Sequence, residues 1–301
     1  MNTDLLPSWR PGKTRDAILH FLSDARALPV NERVACFDND GTLWCERPTY
    51  VQFEFFVDAL RRKVDTDPSI RTRAEFAAIL GGDPTEIGAL GLERIALALA
   101  GLFEGLTPEV FAAEVRNFMA TATHAELGRP MRQVVYQPML ELLAELRALD
   151  FTIAIVTGGG TEFVRAISSD IYRTPPELVV GTLIEYDLAP SPGGMQLRRT
   201  ARILGNANEG TAKVTNIQGQ LGRRPILAAG NTSGDREMLD WSVSSPTSGM
   251  ALLIDHDDAK REYAYEGTSA TLAETESITN VARRHGWTVV SMADDWADIF
   301  A

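Results

Sequence analysis

The chain has only two cysteines in 301 residues, Cys36 inside an apolar run and Cys45 in an expected loop. That is neither a disulfide framework nor a thiolate cluster for a metal, so stability must come from a packed core. The four histidines, His20, His124, His256 and His285, lie far apart in sequence, which argues against a zinc site. There is no basic excess: 29 Lys and Arg against 41 Asp and Glu give a net charge of −12. The cationic groupings are short, at 61–63, 198–199 and 283–284. Binding a polyanion by counterion release needs larger clusters, so no nucleic-acid partner is expected. No apolar run approaches the roughly twenty residues of a spanning helix, and the first thirty residues, with Trp9, Arg10 and Pro11 among them, lack the apolar segment of a signal peptide. No membrane and a cytoplasmic setting are the matching expectations.

What is present is an ordinary globular composition, 45% apolar, in a length that suggests two domains at about 150 residues each. Short apolar runs read as strands: Val34 to Phe37, Phe151 to Val156, Leu178 to Leu183, Pro225 to Ala229, Ala251 to Ile254 and Thr288 to Ser291. Helix-period stretches alternate with them, the pattern of a doubly wound parallel sheet in the α/β class. The first two strands are separated by more than a hundred residues whose apolar spacing is helical. Phe53, Phe56, Val57 and Leu60 follow i, i+3, i+4, i+7, and Thr107 with Pro108 reads as a helix start. A helical insertion over residues 49–129 is the economical reading, with 1–48 and 130–301 forming the core around it. Residues 186–199, with Pro190, Pro192, Gly193 and Gly194, read as a hairpin or an irregular excursion.

Several motifs fail on inspection. Pro11 to Thr14 lacks the earlier glycine of a P-loop, and Gly158 to Gly160 lacks the last glycine of a dinucleotide fingerprint. One constellation survives. Asp38, Asn39, Asp40, Gly41 and Thr42 leave the first strand at its carboxyl end, where open parallel sheets bind ligands. An Asx turn ending a strand is the plainer reading of that pentapeptide alone. Three further strand-end features have matching chemistry. Thr157, Gly158 and Gly159 end the second strand before an expected helix whose free amides suit an anion. Lys213 follows Gly210 and Thr211. Gly230 and Asn231 end a later strand with Asp235 four residues on, and a helix beginning there would put Asn231 and Asp235 on one face. Carboxylates with an amide oxygen suit magnesium beside a phosphate.

These four motifs together resemble the haloacid dehalogenase superfamily, in its Asp-x-Asp phosphatase branch, and are most similar to phosphoserine-phosphatase-like hydrolases. The resemblance implies a Rossmann-like core with an inserted helical cap domain, the place where the helical insertion falls. It implies a magnesium-dependent phosphatase acting on a small phosphorylated metabolite. In that reading Asp38 attacks phosphorus to give an aspartyl phosphate and Asp40 acts as general acid and then base. Thr157, Gly158, Gly159 and Lys213 hold the phosphoryl group, and Asp38, the Asp40 carbonyl, Asn231 and Asp235 surround the metal. A phosphotransferase or phosphomutase would use the same residues, and a catalytically silent metabolite-binding protein is the alternative of another class.

Position 231 departs from the family pattern, which is usually acidic there. Taken alone, Asn231→Asp should tighten magnesium about tenfold, from the effect of one added charge at an effective dielectric near 20. For the substrate, Glu46 stands near where such phosphatases place a glutamate for the substrate ammonium, and Arg47, Arg129 and Arg132 are candidates for a carboxylate. Solvated hinge charges are the plainer reading of all four.

Overall fold

The computed structural model describes residues 5–245, 249–269, 271–272 and 276–301. In chain order, α1 (Lys13–Ala25) precedes β1 (Val34–Phe37). Five α-helices follow: α2 (Val51–Thr66), α3 (Ala74–Gly81), α4 (Pro84–Leu90), α5 (Leu92–Ala100) and α6 (Pro108–Thr121). The chain then forms α7 (Gln137–Ala148), β2 (Thr152–Gly160), α8 (Thr161–Arg165), α9 (Ser168–Tyr172), β3 (Val179–Ser191) and β4 (Gly194–Leu204). It ends with α10 (Thr211–Leu221), β5 (Leu227–Gly230), α11 (Arg236–Val243), β6 (Met250–Asp255), α12 (Ile278–His285), β7 (Thr288–Ser291) and α13 (Met292–Asp295). Among the described residues no single helix is long and apolar enough to cross a membrane.

Seven strands lie in the order β4-β3-β2-β1-β5-β6-β7, with every pairing parallel except β3 to β4. The near-continuous apolar runs are explained by burial on both faces. Ala35 and Phe37 of β1 join one core with α1 and α7, while Val34 and Cys36 join the other with α10, α11 and α12. Because β1 lies between β2 and β5, the chain leaves it at the point where strand order reverses. A crevice opens there beyond the carboxyl ends of the strands.

Two boundaries differ from the sequence expectation. β2 does not stop at Val156 but runs to Gly160, with a register shift between Val156 and Gly160 against β3. The Thr182 hydroxyl donates to the Gly158 carbonyl at 2.7 Å and the Gly160 amide donates to Gln52 Oε1 at 2.8 Å, so the glycine run is fixed in extended form. The helix expected directly after it starts only at Thr161 and has five residues. The second difference is β3, which continues past Leu183 and pairs with β4 from Leu183↔Leu204 to Ser191↔Gly194. The excursion at 186–199 is thus a long, regular hairpin.

That hairpin and the inserted helices α2 to α6 pack together. The Gly105 amide donates to Arg199 O and the Arg199 amide to Leu106 O, both at 2.8 Å. A seam of rings holds the helices: Phe55 of α2 stacks on Phe103 at 5.1 Å and meets Phe111 edge-on at 5.7 Å and Phe118 at 5.5 Å. It also reaches Phe163 of α8 at 5.5 Å, so one side chain bonds the inserted helices to the sheet's own helical layer. Phe55→Ala is expected to cost about 3–5 kcal/mol, the range for a large buried aromatic. Urea unfolding of the variant should show that loss at an unchanged slope.

Candidate active site

Asp38 follows β1 directly, and its amide still bonds the Ala229 carbonyl of β5 at 2.9 Å. Lys213, in the first turn of α10, reaches across the strand ends. Its Nζ donates to Asp38 Oδ1 and to Asp235 Oδ1 at 2.6 Å each, and to the Val156 carbonyl at 3.1 Å. All three charged groups are buried. Burial pulls the lysine pKa down, but the two carboxylates outweigh it and hold the ammonium above its usual value. Burial and the neighbouring Asp235 charge push the Asp38 carboxyl well up. The lysine takes one oxygen of each carboxylate and leaves Oδ2 of both to other partners.

Asp40 is held by Trp44, whose indole N–H donates to Oδ1 at 2.9 Å. Burial raises the Asp40 carboxyl above its ordinary range, against that hydrogen bond. Trp44 is fully buried, and its polar edge orients Asp40. Thr157 is also fully buried, and its hydroxyl oxygen accepts from the Gly159 amide at 2.9 Å. Gly158 and Gly159 border the crevice, but that amide is already engaged within the loop. The anion-binding helix start expected beside them is therefore absent, and what faces the crevice is an extended glycine ribbon. A Cβ at Gly159 would lie 2.7 Å from Gln52 Oε1 and one at Gly158 2.9 Å from Glu209 Oε1, so a larger residue at either place would displace those side chains.

Asn231 and Asp235 meet by a different route from a shared helix face. A 3₁₀ turn at Ser233–Asp235 precedes α11, and Asp235 folds back as the far half of a capping box on Thr232. Its Oδ2 accepts from the Asn231 and Thr232 amides at 3.0 Å each, while Oδ1 holds Lys213. Both oxygens of Asp235 are thus committed to protein donors. Asn231 is different: Nδ2 donates to Glu46 Oε1 at 3.0 Å, and Oδ1 lies 3.4 Å from the Thr42 hydroxyl, which is also 3.4 Å from Asp38 Oδ2. Glu46 is buried beside the site, not at a solvated hinge, and burial holds its carboxyl above its usual range.

Among the described residues no three His, Cys, Asp or Glu side chains converge as a metal cluster. Asp38 Oδ2 and the Asn231 amide oxygen share a neighbour, the Thr42 hydroxyl, at 3.4 Å each. A hard ion that keeps several waters and takes few protein oxygens suits that pair, which is the habit of magnesium. Around them Asp38, Asp40, Glu46 and Asp235 supply four carboxylates to the single ammonium of Lys213, so the charge balance also favours a bound cation.

The crevice opens into a cavity of about 1120 Å³. Asp38, Asp40, Glu46, Lys213 and Asn231 lie at its base, and α2, α5, α6 and the β3–β4 hairpin contribute its wall. Two of the substrate candidates are turned elsewhere: the Arg47 guanidinium stacks over Tyr265 at 4.1 Å, and Arg129 stacks over Phe300 at 4.6 Å. Neither borders the cavity. Sequence reasoning missed Gln52, which anchors the glycine ribbon, and Asn208, whose amide donates to Thr157 O at 3.0 Å and Val180 O at 3.2 Å. It also missed His256, bonded to Gly41 O at 2.8 Å, and Tyr172, whose hydroxyl donates to Asn39 Oδ1 at 2.9 Å. Only Gln52 carried a signal, as a polar residue in the first turn of a helix entering the insertion.

A doubly wound sheet with this carboxylate pair at its switch point defines an α/β hydrolase core of the Asp-x-Asp type. The family model for haloacid dehalogenase-like hydrolase matches residues 35–240, and the chain belongs to that family. No curated protein sequence matches it. Among solved structures, a protein with unknown function from Bordetella pertussis Tohama I is similar at 18% identity and TM-score 0.52, over 86% of this chain and 98% of that one. A HAD family hydrolase from Salmonella enterica serovar Typhi has 17% identity and TM-score 0.42, over 81% and 72% of the two chains. A probable phosphoserine phosphatase from Vibrio cholerae has 14% identity and TM-score 0.43, over 90% and 72%. At these identities the likeness is one of fold.

Lys213→Met should destabilise the protein by about 3–5 kcal/mol, because it strands two buried carboxylates. Adding Asp235→Asn to it should recover part of that loss. Chemical denaturation of the single and double variants checks both statements.

Proposed function

We propose that this hydrolase is a magnesium-dependent phosphatase of small phosphomonoesters, working through an aspartyl phosphate on Asp38. The observation that carries the reading is the state of Asp38: one carboxylate oxygen is clamped by Lys213 at 2.6 Å, and the other, at the base of the cavity, meets the Thr42 hydroxyl at 3.4 Å, two residues from a buried carboxyl. In the first half-reaction Asp38 Oδ2 forms a bond to phosphorus as the ester P–O bond breaks, and protonated Asp40 gives its proton to the leaving oxygen. In the second, a water attacks phosphorus and passes a proton to Asp40. The bond to Asp38 breaks and inorganic phosphate leaves. Burial raises the Asp40 carboxyl, the direction that favours the proton-carrying form the first step needs. Lys213 fixes the nucleophile and adds positive charge where the phosphoryl oxygens gather. Magnesium held by Asp38, Asn231 and water, with the Asp40 carbonyl, supplies the charge that offsets repulsion between phosphate and Asp38.

In this reading residues 49–129 act as a cap, and the β3–β4 hairpin completes their wall. The cavity's remaining cations are spoken for: Arg199 pairs with Glu162, and Arg202 with Glu185 and Asp187. With Glu46 engaged by Asn231 and Arg47 and Arg129 turned away, the groups suggested for the ammonium and carboxylate of a phosphoserine-like substrate are not assembled. The wall offers Phe53, Phe56, Ile95, Leu99 and Phe111 instead, which suits a monophosphate with an apolar body.

Asp38→Asn is expected to leave the fold intact and to abolish turnover of an aryl phosphate. Asp40→Asn should lower turnover of an alkyl phosphate by about 10²–10⁴-fold and of an aryl phosphate, whose leaving group needs no proton, much less. Equal losses on the two substrates would remove Asp40 from the acid role. Across a series of alkyl phosphates, kcat/KM should rise with chain length and exceed that for phosphoserine. Chelation should remove all activity, and added magnesium should restore it.

A further inference from the structure

Glu46 is a buried carboxylate, 5% exposed, and among the described residues no cation pairs with it. Its neighbour in sequence, Arg47, is stacked on Tyr265, and the nearby histidine, His256, is bonded to Gly41 O and to Glu262 Oε2. A carboxylate in such a place is costly unless something nearby compensates it. The nearby His256, Tyr265 and Arg47 partly offset its burial, and the Asn231 amide touches it directly, with Nδ2 donating to Oε1 at 3.0 Å. This contact is built in. Gly41 takes a left-handed φ of 74°, and a Cβ there would fall 1.9 Å from Asn231 Nδ2 and 2.9 Å from Glu46 Cδ, so the turn leaves room for the two side chains to meet.

The bond decides which way the amide points. With Nδ2 taken by Glu46, Oδ1 is the atom directed to the Thr42 hydroxyl, which lies equally close to Asp38 Oδ2. A carboxylate accepts and cannot donate, so the opposite amide orientation would set Oδ1 against Oε1 and is disfavoured.

We propose that Glu46 is a positioning residue of the magnesium site, which orients the Asn231 amide oxygen toward Asp38 and supplies, one layer out, the negative charge that a carboxylate at position 231 would carry. The proposal rests on the metal reading above. It also overturns the expectation that Asn231→Asp alone tightens the metal. A carboxylate at 231 would face Glu46 at the 3.0 Å now spanned by a hydrogen bond, and the repulsion between the two would consume the gain from the added charge.

The test measures metal binding on the metal-free protein by calorimetry with magnesium and by manganese electron paramagnetic resonance, so no turnover enters the readout. E46Q keeps an acceptor for Asn231 and removes only the charge. It should weaken both ions by about 10–100-fold, the range for a group behind a metal ligand. N231D alone should fail to tighten them. The double variant E46Q/N231D, which moves the charge one layer inward, should return affinity to within about threefold of wild type, as for two coupled neighbours. Melting in chelator establishes that each variant is folded. If E46Q binds manganese as wild type does, or if N231D alone tightens it about tenfold, the role of Glu46 is overturned. If wild type binds neither ion, the metal reading fails instead, and the two failures are distinct.

Discussion

The site is organised around one buried ammonium. Lys213 leaves the first turn of α10 and bonds a carboxylate after β1, a carbonyl in β2 and a carboxylate after β5, so a single side chain cross-links the ends of three adjacent strands. The order β2-β1-β5 makes this possible, since only neighbours are close enough for one lysine to span. Burying these charges costs a great deal of hydration, which the contacts between the lysine and both carboxylates offset. Asp235 shows how: the lysine takes one oxygen, and the turn that starts α11 fills the other with two backbone amides. Asp38 receives no such second set. The difference between two carboxylates on the same lysine is therefore local backbone geometry, and it leaves one of them with an oxygen free to react.

The wall of the cavity depends on a different force. Inserted helices α2 to α6 carry the apolar stripe that any amphipathic helix must bury, and part of it is spent on the ring seam through Phe55 and Phe163. The rest faces the cavity together with the β3–β4 hairpin. Exposed apolar residues on that hairpin, Leu188, Met195 and Leu197, lie toward its free end, away from the pairing with Leu106. The hairpin also carries Arg199 into the wall, where its guanidinium lies 3.9 Å over the Phe111 ring and pairs with Glu162. An arginine fixed by a ring on one side and a carboxylate on another is part of the wall and contributes little net charge to the cavity.

Local pattern made much of this legible in the sequence. Thr288–Ser291 and Val34–Phe37 are strands at the bounds that their apolar runs suggest, and Thr107 caps α6 with Pro108 in its first turn. Three of the four motifs were readable for the same reason, each a short run at a strand end whose residue types are unusual there, whereas Lys213 stands in the first turn of α10. What escaped were contacts set by tertiary placement. Gly158 to Gly160 look like a loop opening a helix, yet hydrogen bonds from Thr182 and to Gln52 extend them as strand. Asn208 and His256 are single polar residues in unremarkable segments, and their roles exist only because the fold brings them under Thr157 and Gly41. Arg47 and Arg129 were plausible by position alone; the aromatic faces of Tyr265 and Phe300 decide otherwise.

Gln52 shows how the inserted helices and the chemistry are joined. It stands in the first turn of α2, one helical turn before Phe56 of the cavity wall, and its Oε1 accepts from the Gly160 amide at 2.8 Å. The same side chain fills the space where a Cβ on Gly159 or Gly160 would lie, at 2.7 Å from each. The conformation of the glycine ribbon is thus set by a residue from the inserted helices as well as by its pairing with β3. A displacement of α2 would remove the acceptor of a backbone amide bordering the cavity, and that amide would then need water or a ligand oxygen in its place. One amide side chain thus ties the position of the inserted helices to the hydrogen-bonding state of a backbone donor at the cavity's edge.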